Sequence, residues 1–343
     1  MLDYSIALNM QMNHLKNQFS IAKQKIELAE NILIVTHFNP DGDGLSSSCA
    51  MAEYAKSLNK GYKLFCYTQP PEAFSFLTHL NEFEYVESIS GNVKDSLPIS
   101  FQDFDLIIIM DCGSISRTKI SELLLNRTPS QYIIEFDHHP KIDNYANLEI
   151  RDTLAAATAE LVYYFFKINN IHLDKIIANI LITGVVTDTA NFLYPQTSEK
   201  TINAASDLVR LGAQLPKITD NTFRNKSLEA MKLWGKIMAN LKINTKYNIA
   251  ITVLPKEEFV SQNIDKEELE GVSGFLSNLS GVSGLLFLRE EGDGIIRGSL
   301  RTSHPRVDVS KLARLLGGGG HAKASGFSIN GKLSKRGGNW QVQ

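Results

Sequence analysis

The sequence predicts an α/β protein in two parts, an N-terminal domain built on a parallel β-sheet and a smaller C-terminal α/β domain. Three observations lead there. First, short apolar runs at 32–35, 104–110 and 132–136 have the length and composition of buried strands. Second, each run is followed by ligand-type side chains: His37, then Asp111, then Asp137-His138-His139. Strands buried on both faces belong to parallel sheets. In such a sheet the carboxyl ends share one edge, which is where ligands bind. Third, strand-like runs return after residue 247, and 343 residues suit two domains of roughly 100–200 residues each.

Taken in order, residues 12–30 carry Leu15, Phe19, Ala22, Ile26 and Ala29 at helical spacing, an amphipathic helix for the following sheet to pack against. The strand at 32–35 opens into the loop Thr36–Gly44. Residues 45–58 read as a helix, 62–67 as a second strand and 70–80 as loop. Strands at 104–110 and 132–136 follow, then helices at 155–167 and 173–190. A largely helical stretch at 197–242 is expected to connect the domains, giving boundaries of 1–196, 197–242 and 243–343. Beyond it come strands at 249–253, 285–289, 295–300 and 324–329, with a helix at 266–279. The polar tail 332–343 reads as loose.

Composition excludes several classes. The apolar share is 43% and the net charge −2, so no global field draws the molecule onto long nucleic acid. Three cysteines, Cys49, Cys66 and Cys112, form no CxxC pair, which suits a reducing compartment rather than a disulfide framework. No signal peptide is evident, and no apolar run is long enough to span a bilayer. A soluble cytoplasmic protein with no membrane partner is expected.

The loop after the first strand reads H-x-x-x-D-x-D, from His37 through Asp41 to Asp43. This mixture of imidazole and carboxylate suits hard or borderline divalent cations. Asp residues one apart can face different ions. Asp188 lies late in an apolar helical stretch and needs a partner if buried. Four aspartates, Asp41, Asp43, Asp111 and Asp188, would repel one another in a dry pocket. Two divalent cations balance them and leave a nearly neutral floor for a phosphate. Such a pair, about 3.5–4 Å apart, polarises phosphoryl oxygens and activates water. An exposed Asp/Gly loop and an exposed His-His turn are the plain alternatives.

THFNPDGDG, IIIMDCG, FDHHP and TGVVTDTANF together resemble the DHH phosphoesterase superfamily, and GGGGHAKASGF resembles its DHHA1 domain. The nearest group is the NrnA-like one, of short-oligoribonucleotide nucleases and phosphoadenosine-phosphate phosphatases. The resemblance implies a DHH domain and a DHHA1 domain with the active site in the cleft between them. His37 and Asp41 would hold one metal, Asp43, His138 and Asp188 a second, and Asp111 would bridge. His139 would contact the scissile phosphate, with Asp137 holding an imidazole in its tautomer. Manganese is the family's usual ion, two per site, with Mg²⁺ or Co²⁺ as substitutes. In the second domain Arg301 and His321 would bind substrate phosphate, with the weaker candidate Arg297 on the same strand face. Gly318, Gly319 and Gly320 would let backbone amides approach an anion. The motif departs from the family at Ser46, where a glycine is usual.

The expected function is hydrolysis of short RNA to mononucleotides, or of 3′-phosphoadenosine 5′-phosphate to AMP and phosphate. The alternatives are cleavage of pGpG or pApA and digestion of short single-stranded DNA. A nucleotide sensor without turnover would be expected to have lost a metal ligand, and this sequence keeps the full set. Phe192 and Tyr194 are candidates to stack a base. A homodimer is expected from the group.

Overall fold

The computed structural model describes residues 2–86, 97–260, 269, 271–291, 294–337 and 339–343. It divides into two compact units, Met1–Thr222 and Phe223–Gln343.

In the first unit, six strands form one parallel sheet: β1 (Asn31–Thr36), β2 (Gly61–Phe65), β3 (Phe83–Glu84), β4 (Leu106–Met110), β5 (Tyr132–Asp137) and β6 (Leu148–Arg151), in the order β3-β2-β1-β4-β5-β6. The continuous apolar runs are explained by burial on both faces. Ile32 and Ile34 of β1 enter one core, with Leu106, Ile108, Met110, Ile134 and Phe136. Leu33 and Val35 enter the other, with Ile107, Ile109 and Ile133. The larger core is roofed by α1 (Leu2–Leu28), α2 (Gly42–Ser57), α4 (Thr158–Ile168), α5 (Lys175–Asp188) and α6 (Glu199–Arg210). The opposite face is covered by the short α3 (Ser121–Leu125) and by Phe101, Phe104 and Tyr145.

Leu15, Phe19, Ala22, Ile26 and Ala29 are all buried, as their spacing predicts. Phe165 of α4 is the hub of this roof. It meets Phe19, Tyr54 and Phe136 edge-on, with ring centroids 5.7, 6.1 and 5.3 Å away. Burying such a ring contributes about 1.5–3 kcal/mol.

The stretch expected to connect the domains divides instead. Ala204, Ala205 and Leu208 of α6 and Ile218 of α7 (Leu215–Thr222) complete the first unit's core. Ala230, Leu233 and Ile237 of α8 (Leu228–Ala239) belong to the second unit's core. The apolar face of each helix, rather than its place in the chain, decides which unit it joins.

The second unit holds β7 (Lys242–Asn244), β8 (Ile249–Leu254), β9 (Gly284–Glu290), β10 (Ile295–Arg301), β11 (Gly319–Gly320) and β12 (Ala324–Asn330), in the order β11-β12-β10-β9-β8-β7. Only the β8–β9 pairing is parallel among these described strands. One face packs on α8. The other packs on α11 (Val309–Leu315) through Val309, Ala313, Leu300 and Phe327. Two short helices, α9 (Lys256–Val260) and α10 (Val272–Leu276), precede β9. The helix expected at 266–279 is described at Val272–Leu276, and residues 266–268 and 270 lie outside the described residues.

The tail expected to be loose is a hairpin. β13 (Leu333–Arg336) pairs antiparallel with β14 (Asn339–Val342). Leu333 faces Val342, and the Lys335 ammonium lies 5.8 Å from the Trp340 ring centroid. Lys332 and Gln343 exchange two backbone hydrogen bonds that close its end.

Candidate metal centre

The strand order reverses at β1 and β4, which are neighbours although β2 and β3 lie between them in the chain. The crevice beyond such a reversal is the usual ligand site of an open α/β sheet. Register brings the candidates level. Thr36 stands opposite Met110, and Met110 opposite Phe136. The next residues along the three strands are His37, Asp111 and Asp137.

Asp111 is the centre of the arrangement. Its backbone is left-handed, with φ +58°, a conformation that costs a non-glycine residue about 1–3 kcal/mol. The strand pairing continues through it, since Asp111 N donates to Phe136 O at 2.9 Å. The turn directs the carboxylate among its neighbours. Oδ1 lies 3.5 Å from both His138 Nε2 and His139 Nδ1, and Oδ2 lies 3.9 Å from His37 Nε2. Three sets of potential ligand atoms, each within 4.8 Å of one another, all include it: with His37 and Asp41, with Asp43 and His138, and with Asp137 and His139. Asp188, at the end of α5, brings Oδ2 to 3.6 Å from His138 Nε2.

The other ligand-type groups are held by local structure. Asp41 caps α2, its Oδ1 accepting from Asp43 N and Gly44 N at 3.1 Å each. Asp43 rests on the start of α4, accepting from Thr158 N at 2.6 Å and Ala159 N at 2.8 Å. A helix N-terminus is a natural seat for an anion. Asp137 accepts from His139 N at 2.7 Å and His139 Nδ1 at 2.9 Å, which keeps that imidazole protonated at Nδ1.

The donor set suits divalent cations. His37 Nδ1 donates to Phe38 O at 2.9 Å, leaving the lone pair on Nε2. That Nε2 is buried and has no hydrogen-bond partner among the described residues. Such a group costs free energy unless something occupies it. His37 and His138 stand 3.5–3.9 Å from the facing carboxylate oxygens. This is too long for hydrogen bonds, but two donors about 2.1 Å from one ion stand roughly 3–4 Å apart.

Electrostatics point the same way. Burial and the neighbouring Asp111, Asp188 and Asp41 charges push Asp43 well above the usual carboxylate range. Asp188 rises to about 6, chiefly through burial, with Asp111 and Asp41 adding to it against His138 and His139. Asp188 also stands at a helix carboxyl end, where the dipole disfavours an anion. Asp41, whose side chain is more than half exposed, is held below the usual carboxylate range by His37, the Gly44 amide and Arg117. Burial works against the His139 imidazolium, yet Asp111 and Asp137 raise it well above the ordinary value. A divalent cation would invert the local preference at Asp43 and Asp188.

Two glycines make room for this packing. A Cβ on Gly44 would lie 2.4 Å from Thr36 Oγ1 and 3.2 Å from His37 Nε2. One on Gly184 would lie 2.6 Å from Ala159 Cβ and 2.8 Å from Asp43 Oδ1. Ser46, the departure from the family pattern, is fully buried, with its Cβ 3.1 Å from that Gly184 position. The glycine on α5 leaves space for it.

Sequence reasoning missed two supporting residues. Thr158 donates its hydroxyl to Asp111 Oδ1 at 2.8 Å; a Thr opening an amphipathic run after Ala-Ala-Ala was its only signal. Arg151, on the unforeseen strand β6, lies 2.9 Å from Glu135 and 3.5 Å from Asp137. Ala190, Asn191 and Phe192 are three consecutive left-handed residues; Phe192 packs partly against the larger core, and Tyr194 follows two positions later.

In the second unit, Arg297, Ser299 and Arg301 alternate with buried Ile296, Gly298 and Leu300, so both arginines lie on one face of β10. Arg297 pairs with Glu291, Nε to Oε1 3.3 Å, and Arg301 Nη1 donates to Leu300 O at 3.0 Å. His321 N donates to Ala324 O at 2.8 Å. The glycine run differs from expectation. The amides of Gly317 and Gly318 donate to Arg314 O and Ala313 O, ending α11, while Gly319 and Gly320 pair with β12. A Cβ on Gly318 would lie 2.1 Å from Gly326 O and 2.7 Å from Phe327 Cα. The glycine at 318 is required by packing, and its amide is committed to the helix end rather than offered to an anion.

Comparison with known proteins adds the family and the fold. The DHH family, N-terminal domain, matches residues 31–185, and the DHHA1 domain matches 246–336. The chain is similar to the bifunctional oligoribonuclease and PAP phosphatase NrnA of Bacillus subtilis, 28% identical over 89% of this chain and 91% of that one. The NrnA of Thermus thermophilus is also 28% identical, over 88% and 84%. An exopolyphosphatase-related protein from Bacteroides fragilis has the same fold, with a TM-score of 0.82, 24% identity and 92% of each chain covered.

Proposed function

This chain belongs to the DHH/DHHA1 phosphoesterase superfamily and is a phosphoester hydrolase; from that premise we propose that it hydrolyses short RNA to mononucleotides and 3′-phosphoadenosine 5′-phosphate to AMP and phosphate. The observation that carries the reading is Asp111, whose two carboxylate oxygens face His37 on one side and His138 on the other. His37 and Asp41 would hold one cation, Asp43, His138 and Asp188 another, with Asp111 shared. The absence of thiolate among these donors favours manganese, with magnesium or cobalt as substitutes. When bound, such a pair supplies Lewis-acid polarisation of a phosphoryl oxygen and an activated water.

The chain's own residues do the rest. The α4 amides hold Asp43 in place, and Thr158 holds Asp111. Asp137 keeps His139 protonated at Nδ1 and oriented, so that the imidazolium can meet charge developing on the phosphate or protonate the departing oxygen. The DHHA1 domain would grip the rest of the nucleotide through Arg301 and His321. A net charge of −2 suits short substrates, since binding long RNA depends on many phosphate contacts. The free, buried thiols suit the cytoplasm, and no described helix is long and apolar enough to cross a membrane. Pairing with a second copy is expected and is read by light scattering.

The test is a substrate panel with purified protein and Mn²⁺: RNA from dinucleotides to about twenty-four nucleotides, matching DNA, pGpG, phosphoadenosine phosphate and pyrophosphate. Mononucleotides should appear from the shortest RNAs first. Turnover of pyrophosphate alone would sink the reading. Arg301→Ala and His321→Ala should raise KM for RNA while leaving Mn²⁺ affinity as it was.

A further inference from the structure

Arg117 lies in the 3₁₀ turn Ile115–Thr118 that follows β4, and three observations fix where its guanidinium sits. Its carbonyl accepts from Phe38 N at 2.8 Å, tying the turn to the residue after His37. Its Nη1 donates to Cys112 O at 3.2 Å, next to Asp111. A Cβ on Gly113 would lie 3.5 Å from that Nη1 and 3.3 Å from His139 Cγ. The guanidinium is thus half-buried beside the His37 loop, Asp111 and His139.

Arginine carries five N–H donors in a rigid fork and stays charged. The one hydrogen bond described for this side chain goes to a neutral carbonyl, and among the described residues no carboxylate forms an ion pair with it. A brace for the turn would explain Nη1 alone. The guanidinium charge helps to keep Asp41 ionised, yet at the edge of a cluster suited to cations like charge also opposes metal binding. An anion entering the site offsets that repulsion, and the remaining N–H groups are free of any described carboxylate to meet it.

We propose that Arg117 binds the non-bridging oxygens of the scissile phosphate and stabilises the charge that gathers there during hydrolysis. The inference rests on the phosphoesterase reading above. In the step, a bond forms from water oxygen to phosphorus as the phosphorus–ester oxygen bond breaks, and the departing oxygen takes a proton. Arg117 gives up no proton. Its hydrogen bonds strengthen as the phosphoryl oxygens gain charge.

The test compares Arg117→Ala and Arg117→Gln with wild type, using a dinucleotide RNA substrate, inorganic phosphate as competitive inhibitor and calorimetric titration of Mn²⁺. Removing one such donor should lower kcat/KM about 10²–10³-fold. Phosphate inhibition should weaken at least about tenfold, a loss of roughly 1.4 kcal/mol. Mn²⁺ affinity should hold or rise, because a neighbouring positive charge has gone. Wild-type kcat/KM and phosphate inhibition in the variants would overturn the proposal. So would a loss of Mn²⁺ affinity in step with activity, which marks a structural brace. If Arg117→Ala melts early, Arg117→Gln decides by the same readouts. Wild-type protein that hydrolyses no phosphoester sinks the functional reading, whereas phosphate titration of wild type against Arg117→Gln still decides Arg117.

Discussion

Glycines crowd both units, and they serve opposite ends. At Gly44 and Gly184 the missing side chain makes room for polar atoms, His37 Nε2 and Asp43 Oδ1, at the end of a sheet. At Gly298 and Gly318 it makes room for the Phe327 ring and for another strand's backbone. The first pair opens a place for chemistry, and the second closes a core. What stands opposite a glycine, more than the run it belongs to, tells which of the two it does.

Substitutions can sharpen or break that contrast. The largest effect is expected at Asp111→Asn. Asparagine tolerates the left-handed backbone, so only charge is lost. Activity should fall at least about 10³-fold, and Mn²⁺ should no longer raise the melting temperature. A variant keeping a tenth of wild-type turnover would remove Asp111 from the centre of the site.

Gly44→Ala comes next. Its Cβ meets Thr36 and crowds His37, so Mn²⁺ affinity and rate should fall about 10–100-fold, as read by calorimetry and turnover. Unchanged Mn²⁺ binding would mean that this glycine is not making room for a ligand. Gly318→Ala should do the reverse: it should cost about 1–3 kcal/mol of stability in denaturant unfolding, while Mn²⁺ affinity stays at the wild-type value. A selective loss of RNA affinity in a stable Gly318→Ala protein would restore an anion-binding role to the run.

The smallest effect concerns pH. Asp43 and Asp188 are raised when no cation is present, Asp188 to about 6. A raised acid holds its proton more tightly folded than unfolded. Its contribution is therefore present at low pH and lost as pH rises through the folded value. The metal-free protein should lose melting temperature between pH 5 and pH 7.5. Because binding requires deprotonated ligands, the stabilisation by Mn²⁺ should be larger at pH 7.5. An equal Mn²⁺ shift at both values would argue against these two carboxylates as ligands.

Much of this was legible in the sequence because burial on both faces leaves an unbroken apolar run. Residues 32–35, 104–110 and 132–136 announced themselves as strands, and the side chains after them as a shared edge. β6 was missed because an edge strand of four residues with the pattern Leu-Glu-Ile-Arg looks like loop, and Arg151 went with it. The left-handed turn at Asp111 leaves no trace in residue type, since aspartate is common everywhere. The final hairpin hid for the same reason as β6: its apolar residues, Leu333, Trp340 and Val342, are too few to form a run. In the stretch 197–242 helix was readable, but the side to which each helix would fold was not, because that depends on partners far away in the chain.

Asp43 spends both carboxylate oxygens on amides that open α4. These bonds come from the backbone and do not depend on what else occupies the crevice. As the ligand proposed above, Asp43 would be held by these amides whether or not an ion is bound, so little rearrangement should accompany loading. Crystals grown without manganese should accept it by simple soaking, without cracking and with their cell edges unchanged.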